Sequence, residues 1–439
     1  MRKPIIGVVC LVRKTFDYQT AYSLYQERTL EMINNHPEIS WINYPTMVIE
    51  NNEAVDAGKL FAANHVDAVI VVSATFHLGS LALILHNEVK KPFLLWGYDE
   101  LPYNGGKIRL NAVCGVNLNA SNMYKAGVDD YINHVGNTVD EDWIKAIKMK
   151  VAIESSNIGL IGYHAQGFYN VGVDELHLYH EIGVLISHYE LDDLFSPDCS
   201  KEEGDKEEKE LRSTFDCSKL SDYQVRKVAE LIVKAEKFMK MNALDVVAIR
   251  CWPEFAKNYG VSPCAMMSVL QSRGLLLACE GDIEAAISMV AVKAAGEATP
   301  FMADLSQVNY QENYALLWHD GVAPCNLWDH KCNRSLETYF AGGKGVTADF
   351  VLKPGECSIL RIDTARGKTR IYYEEGKAVE MSKDLSGTYA KVIFNHPIEE
   401  VVDKVVYTGV AHHVIMGYVK YLKAVKYLAR LYSWELILQ

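Results

Sequence analysis

The 439-residue sequence has no long hydrophobic run, no surplus of positive charge and no CxxC pair. No window approaches the ~20 uninterrupted apolar residues that cross a bilayer, and residues 1–9 lack a cleavable signal pattern. Lys and Arg total 44 against 56 Asp and Glu, which gives a formal net charge of -12. Nucleic acids and anionic membranes both require dense positive charge in a partner. The sequence therefore predicts a cytoplasmic protein that binds neither nucleic acid nor a membrane.

The composition, with 49% hydrophobic and 23% charged residues, is typical of a folded globular protein. At ~150 residues per domain, the length predicts about three domains. The ten cysteines do not indicate a disulfide framework. Six of them lie in apolar stretches and are predicted to be reduced and buried: Cys10, Cys114, Cys251, Cys264, Cys279 and Cys357.

The first part of the chain alternates β-rich runs with amphipathic segments, the pattern of a parallel sheet covered by helices. The predicted strands are 4–12, 39–44, 68–72 and 92–97, and the predicted helices are 22–34, 54–64 and 79–89. A second strand start at 157–162 follows a predicted helix at 141–155. These patterns define an N-terminal α/β domain over residues 1–155.

Residues 156–322 are predicted to form a second Rossmann-like α/β domain with a parallel sheet. The acidic stretch 201–210 is predicted to be a solvated loop or the exposed start of a helix. After residue 322 the pattern changes to short period-two runs broken by glycines, which indicates an antiparallel, barrel-like domain. We expect this β-rich domain over residues 323–439, with a terminal helix at 416–431.

Polar residues follow several apolar runs between positions 250 and 330. Arg250 and Trp252 follow a buried strand, where open α/β sheets place their ligand-binding residues. Glu280, Asp304 and His319 each end a later apolar run. Two carboxylates and a histidine form an oxygen-rich set suited to Mn²⁺ or Mg²⁺ rather than to a thiolate zinc site.

Each of these residues also has a structural explanation. Glu280 or Asp304 alone is equally well explained as a helix cap, because acidic residues favour helix N-termini. His319 alone is typical of a partly buried, hydrogen-bonded histidine. The adjacent His412 and His413 are explained as strand residues that face opposite sides. Only the set as a whole predicts a site.

At these residues the sequence resembles the L-fucose isomerase and L-arabinose isomerase superfamily. Five segments carry the resemblance, in order along the chain: 250–255, 279–282, 301–304, 318–324 and 409–413. It implies a metal-dependent ketol isomerase, an intramolecular oxidoreductase that interconverts aldoses and ketoses with Mn²⁺, or with Mg²⁺ or Co²⁺. The metal would acidify the hydrogen between O1 and O2 of an open-chain monosaccharide, and proton transfer would pass through an ene-diol.

The resemblance also implies roles for individual residues. Glu280, Asp304 and His413 would bind the metal, and the two acidic ligands would be the catalytic proton-transfer pair. His319 would be either a fourth metal ligand or a nearby polar group. Members of the superfamily form homo-trimers or homo-hexamers in which the N-terminal domain of one subunit lines the active site of its neighbour. Residues of the substrate-binding set would then include Arg13, His77, Arg250, Trp252 and His412.

The chain departs from the family pattern beside the pocket. Asp320 replaces the cysteine of the familiar His-Cys-Gly, Ala411 replaces a proline, and Val419 replaces a glycine. The sugar therefore stays open between an L-fucose-like or L-arabinose-like substrate and a related anionic sugar such as sulfoquinovose. Arg13 and Arg250 are candidates to bind an anionic group.

Two other classes of function remain open on the sequence. One is a non-catalytic sugar-binding or regulatory protein on the same fold. The other is a sugar epimerase or lyase that uses the same ene-diol. Metal dependence and product analysis separate these hypotheses from isomerisation.

Overall fold

The structure, a computed structural model, describes residues 2–438. Contacts divide the chain into an N-terminal unit (2–151 and 423–433) and a C-terminal unit (152–422 and 434–438). The N-terminal unit holds a five-stranded sheet, and the C-terminal unit holds a four-stranded and a nine-stranded sheet. The predicted fold class, two parallel α/β layers followed by an antiparallel barrel, is confirmed. Over residues 2–438 we find no helix with the length and apolar character needed to span a membrane.

The N-terminal unit is a doubly wound α/β layer with strand order β2-β1-β3-β4-β5, all parallel. Its inner strand β1 is buried on both faces, since Val8 and Cys10 pack in one core cluster and Val9 and Leu11 in another. Burial on both faces explains why the strand is continuously apolar rather than alternating. The elements are β1 (Ile5–Leu11), α1 (Tyr18–Asn35), β2 (Ser40–Val48), α2 (Asn51–Ala63), β3 (Ala68–Ser73), α3 (Ser80–Val89), β4 (Phe93–Gly97), α4 (Ala112–Lys125), β5 (Tyr131–Val135) and α5 (Glu141–Glu154).

The four-stranded sheet of the C-terminal unit is also parallel, with strand order β7-β6-β8-β9. Residues 201–210 begin helix α8, whose first turn is capped by the Ser200 side chain, so the expectation of an exposed helix start is confirmed. The elements of this layer are β6 (Ile158–Ile161), α6 (Glu175–Ile182), β7 (Ile186–Tyr189), α7 (Leu191–Phe195), α8 (Lys201–Thr214), α9 (Asp222–Met241), β8 (Val246–Ile249), α10 (Cys264–Ser272), β9 (Leu276–Ala278) and α11 (Ile283–Ala294).

The nine-stranded sheet contains a closed antiparallel barrel. Six strands follow one another as β16-β11-β10-β17-β14-β15, and the pairing of β15 with β16 closes the ring. The elements are β10 (Phe301–Asn309), β11 (Tyr314–His319), β12 (Ser335–Glu337), β13 (Thr347–Val351), β14 (Gly355–Ala365), β15 (Lys368–Val379), β16 (Thr388–Phe394), α12 (Ile398–Thr408), β17 (His413–Gly417), α13 (Leu422–Tyr432) and β18 (Glu435–Ile437).

The barrel begins earlier than the sequence predicted. Its first strand, β10, starts at Phe301 rather than after residue 322. Asp304 and His319 therefore lie on barrel strands, and only Glu280 of the proposed acidic pair follows the second parallel sheet. The boundary was misplaced because a short apolar run has the same appearance in a buried parallel strand and in a barrel strand.

The predicted terminal helix at 416–431 was placed too early and assigned to the wrong unit. Met416 lies in β17, and the helix α13 spans Leu422–Tyr432. Leu431 of this helix packs into the core cluster of the N-terminal unit, and Arg430 Nε donates to the Tyr131 carbonyl at 3.0 Å. The sequence shows the apolar stripe of an amphipathic helix but not the surface that will cover it.

The cysteines form no disulfide within residues 2–438. Five of the six that were expected to be buried are buried, and the exception is Cys114, which lies exposed on α4. Burial raises the pKa of the thiol at Cys10 and at Cys264, as expected for inert structural cysteines.

Candidate active site

Four predicted site residues converge within the C-terminal unit. Glu280 follows β9 of the parallel sheet, whereas Asp304 on β10 and His413 on β17 are direct cross-strand partners in the barrel. His319 is the last residue of β11, the strand on the other side of β10. His413 Nε2 lies 3.2 Å from Glu280 Oε2 and 3.6 Å from Asp304 Oδ1. The parallel layer and the barrel therefore supply one carboxylate each.

The cluster has the donor atoms of a divalent cation site. One ligand atom from each of Asp304, His319 and His413 lies within 4.8 Å of the others, and Glu280, His412 and His413 form a second such group. Glu280 Oε2, Asp304 Oδ1 and His319 Nε2 are buried without a hydrogen-bond partner. Buried polar atoms normally have a partner, so three such atoms close together make this cluster a candidate ligand site. Carboxylate oxygens with imidazole nitrogen suit Mn²⁺ or Mg²⁺.

A left-handed backbone turn places Glu280. The φ angles of Glu280 and Gly281 are +61° and +74°. The Glu280 carbonyl accepts from the Ala165 amide at 3.0 Å, and the Gly281 amide donates to the Ile249 carbonyl at 3.0 Å. A Cβ on residue 281 would lie 2.4 Å from the Tyr163 carbonyl oxygen. Glycine is required here because the turn needs a positive φ and because another backbone passes so close.

Asp282 holds His413 in place, a role that the sequence analysis did not assign. Asp282 Oδ1 caps α11 by accepting from the Ala285 amide at 2.8 Å. Its Oδ2 accepts from His413 Nδ1 at 2.8 Å and from Arg361 Nη1 at 2.6 Å. Both Asp282 and Arg361 are fully buried. An arginine in an otherwise apolar stretch of β14 was the available signal, because a buried cation needs a buried anion.

Charged neighbours shift the pKa values of three residues of the site. Burial raises the pKa of Glu280, but its contacts with His412 and His413 outweigh burial and hold the pKa below its ordinary range. Burial acts on Asp282 in the same way, and Arg361 and His413 outweigh it there. Burial lowers the pKa of His413, and Asp282 and Glu280 overcome it, raising the pKa to about 9. Without a metal, His413 therefore carries a proton at neutral pH.

A cavity of about 250 Å³ opens beside Glu280 and His319. Its wall combines apolar and small polar side chains, namely Ala165, Phe168, Cys251, Trp252, Ser262, Cys264, Cys279, Asp320 and Phe340. No Lys or Arg is among the described residues that line it. The cavity thus places a partly open, largely apolar space against Glu280 and His319 of the carboxylate–histidine cluster.

The three substrate-binding candidates in the C-terminal unit have different surroundings. Trp252 lines the cavity and is 51% exposed. His412 Nδ1 lies 3.1 Å from the Asn170 side-chain nitrogen at the edge of the cluster. Arg250 Nη2 pairs with Glu254 Oε1 at 2.6 Å and does not line the cavity. Trp252 therefore lines the cavity and His412 lies beside Glu280, whereas Arg250 is already paired.

The two candidates in the N-terminal unit also differ. Arg13 is exposed just after β1. His77 is fully buried, with Nε2 3.0 Å from Ser73 Oγ and Nδ1 3.0 Å from the Leu78 carbonyl oxygen. Burial lowers the pKa of His77 to about 4. Both ring nitrogens are engaged inside the unit, which leaves neither free for a sugar.

Comparison with known proteins finds similar sugar isomerases. Residues 7–155 match the family described as "Fucose/sulfoquinovose isomerase, N-terminal domain". The chain is 25% identical over 435 residues to the sulfoquinovose isomerase of Priestia aryabhattai, and the match covers 95% of each chain. Sulfoquinovose isomerases of Alkalicoccus urumqiensis (25% over 438 residues, 97% of each chain) and of Clostridium sp. strain MSTE9 (26% over 376 residues, 80% of this chain and 82% of the relative) are similar to it as well.

These matches, which extend over nearly the full chain, indicate that the protein is an isomerase. The N-terminal domain therefore matches the fucose/sulfoquinovose isomerase family, and the chain over nearly its full length is similar to sulfoquinovose isomerases. The resemblance found in the sequence is thereby confirmed.

Proposed function

We propose that the chain is a divalent-metal-dependent aldose–ketose isomerase that acts on an open-chain monosaccharide. The observation that carries the proposal is the pair of carboxylates from two different sheets. Glu280 and Asp304 each have a buried oxygen without a hydrogen-bond partner, and both oxygens lie within 3.6 Å of His413 Nε2. A ketol isomerase needs two such groups, because one proton must leave one carbon and return to its neighbour.

Glu280, Asp304 and His413 would hold the cation. Mn²⁺, Mg²⁺ or Co²⁺, when bound, supplies the Lewis acidity that makes the hydrogen beside the sugar carbonyl acidic. One carboxylate takes that proton from C2, the C–H electron pair forms the C1=C2 bond, and the carbonyl π pair moves to O1. The C1=C2 pair then takes up a proton at C1 with the help of the other carboxylate, the O2–H bond pair forms the C2=O bond, and the O2–H proton passes to O1. The two histidines hold the pKa of Glu280 below its ordinary range, so this side chain is ionised at neutral pH.

For the substrate we propose an anionic sugar, because the similar proteins are sulfoquinovose isomerases. The cavity wall contributed by this chain has no cationic side chain, and Arg250 is paired with Glu254. A cation for the anionic group must then come from outside this wall. The proposed homo-trimer or homo-hexamer, in which a neighbouring N-terminal domain completes the site, would supply Arg13, which is exposed.

The test is turnover of a sugar panel by the metal-loaded protein, with sulfoquinovose, 6-deoxy sugars and neutral aldoses. NMR in D₂O detects ketose formation and deuterium uptake, and it separates isomerisation from epimerisation and lysis. We expect EDTA to abolish activity and Glu280→Gln or Asp304→Asn to lower kcat about 10²–10⁴-fold. The control is Glu356→Gln, which removes an exposed carboxylate from β14.

Turnover by metal-free protein, or full activity in both site variants, refutes the proposal. Tight sugar binding without metal and without turnover favours a non-catalytic binding protein instead. Circular dichroism of each variant shows whether it is folded, so that a loss of activity can be assigned to the missing carboxylate.

A further inference from the structure

The ring of His319 is held in a defined tautomer. His319 is only 5% exposed, and its Nδ1 accepts a hydrogen bond from the backbone amide of Asp320 at 2.8 Å. An imidazole nitrogen that accepts a hydrogen bond has no proton of its own, so the neutral ring carries its proton on Nε2. That Nε2 is buried and has no hydrogen-bond partner among the described residues. His319 therefore presents an unused N–H to the carboxylate–histidine cluster.

When its ring is neutral, His413 is held in the opposite tautomer. Its Nδ1 lies 2.8 Å from Asp282 Oδ2, and an ionised carboxylate only accepts hydrogen bonds. The proton on Nδ1 is thereby fixed, and Nε2 is the nitrogen that faces Glu280 and Asp304. A histidine that donates one N–H to a carboxylate is the usual form of a metal ligand. The two rings lie 5.9 Å apart and nearly parallel, at 24°.

We infer that His319 is a hydrogen-bond donor to the substrate and not a metal ligand, an assignment that rests on the proposed isomerase function. To bind a metal through Nε2, the ring would have to move its proton to Nδ1. Nδ1–H would then face the Asp320 N–H, and one hydrogen bond would be replaced by two opposed donors. Leaving a buried donor unsatisfied costs about 1–3 kcal/mol, which disfavours the ligand role.

The donor role fits the charge that develops during isomerisation. When a proton leaves C2, the C–H electron pair forms C1=C2 and the carbonyl π pair becomes negative charge on O1. The His319 Nε2–H stabilises an oxygen of this C1–C2 unit by donating to it, and it returns unchanged when a proton is delivered to C1. A fixed donor aimed at a developing oxyanion is worth about 10²–10³ in kcat. His319 is thus a catalytic residue that holds charge, while the carboxylates move the proton.

The decisive measurement is Mn²⁺ affinity by titration calorimetry, which does not depend on turnover. We expect His319→Gln and His319→Asn to bind Mn²⁺ within about threefold of the wild-type protein, and His413→Gln to lose about 10–100-fold or more. In the kinetic comparison, His319→Asn should lose about 10²–10³ in kcat. His319→Gln should recover part of that loss, since its longer side chain places an amide N–H nearer to the Nε2 position.

A second measurement determines the tautomer of His319 in the wild-type protein. In ¹⁵N-histidine-labelled protein, NMR should show a protonated Nε2 and an unprotonated Nδ1 for His319, both before and after addition of diamagnetic Mg²⁺. The His319→Gln spectrum identifies the resonance. Loss of Mn²⁺ affinity by more than about tenfold in both His319 variants overturns the inference. A proton on Nδ1 of His319 also overturns it.

These results are separable from the proposed function. If the wild-type protein with Mn²⁺ converts no sugar, the isomerase proposal fails, yet the tautomer and the metal affinities still decide whether His319 is a ligand. If the wild-type protein is active and the His319 variants lose the metal, the isomerase proposal is supported and the donor role of His319 is refuted.

Discussion

Replacing Glu284 with Gln should make the protein less sensitive to alkaline pH. Glu284, on the first turn of α11, is almost fully buried, and its Oε2 lies 3.3 Å from Arg361 Nη2. The same arginine already pairs with Asp282 at 2.6 Å. Burial raises the pKa of Glu284 from 4.5 to about 8, because one arginine compensates only part of the cost and Asp282 opposes a second negative charge. At neutral pH only Asp282 of this acid pair is ionised.

The size of the effect follows from proton linkage. A carboxyl whose pKa is raised on folding contributes stability that is fully present below about pH 4.5 and is lost as the pH rises through about 8. Each unit in that window changes the free energy of unfolding by about 1.4 kcal/mol. Between pH 6 and pH 8, the contribution of Glu284 to the free energy of unfolding should therefore fall by about 2 kcal/mol. Glutamine keeps the shape of the protonated side chain and does not titrate.

The assay is urea unfolding of the wild-type protein and of Glu284→Gln at pH 6, 7 and 8. Subtracting the two free energies of unfolding cancels the contributions of the other titrating groups. The free energy of unfolding of the variant, relative to that of the wild-type protein, should rise by about 2 kcal/mol from pH 6 to pH 8. Glu31→Gln, an exposed position on α1, is the matched control and should show no such trend. A difference that stays constant within about 0.5 kcal/mol would show that Glu284 is ionised in the folded protein and would refute the reasoning.

Two further substitutions test the support of the site. Gly281→Ala and Gly127→Ala both place a side chain at a φ near +74°, but only residue 281 meets a backbone oxygen at 2.4 Å, whereas residue 127 faces open space. Thermal unfolding should show that Gly281→Ala lowers the free energy of unfolding by about 1–3 kcal/mol more than Gly127→Ala does. Equal losses would mean that the backbone at Tyr163 can move away without an energetic cost. Asp282→Asn keeps the oxygen that caps α11 but removes the charged partner of His413. Calorimetry should show Mn²⁺ affinity reduced about 10–100-fold, and unchanged affinity would contradict the orienting role of Asp282.

The local elements of the fold were largely readable from the sequence. The apolar runs at β1, β3 and β4 and the amphipathic run at α2 predicted their own secondary structure, because buried strands are rich in apolar residues and a helix buried on one face has apolar residues at helical spacing. The helix α4 and the strand β5 were not predicted. The alternation of these elements also indicated the parallel layers correctly.

The membership of the site was only partly readable. The sequence singled out Glu280, Asp304, His319 and His413, which the structure brings together. It placed Asp304 at the end of a parallel strand, whereas the residue lies within a barrel strand opposite His413. Hydrophobic periodicity indicates which face of a strand is buried. It does not indicate the partner strand, because strands pair with segments that lie far away in the sequence.

The sequence by itself determined the composition of this protein's site: two acids and histidines at the ends of apolar runs, in a chain of α/β and β-rich segments. Only the tertiary structure decided which ring nitrogens of these histidines are left to contact a metal or a substrate. Asp282, held by Arg361, fixes the proton on Nδ1 of His413. The Asp320 amide fixes His319 in the opposite tautomer. The physical reason is that a tautomer depends on the hydrogen bonds around a ring, and Asp282 is separated from His413 by 131 positions along the chain.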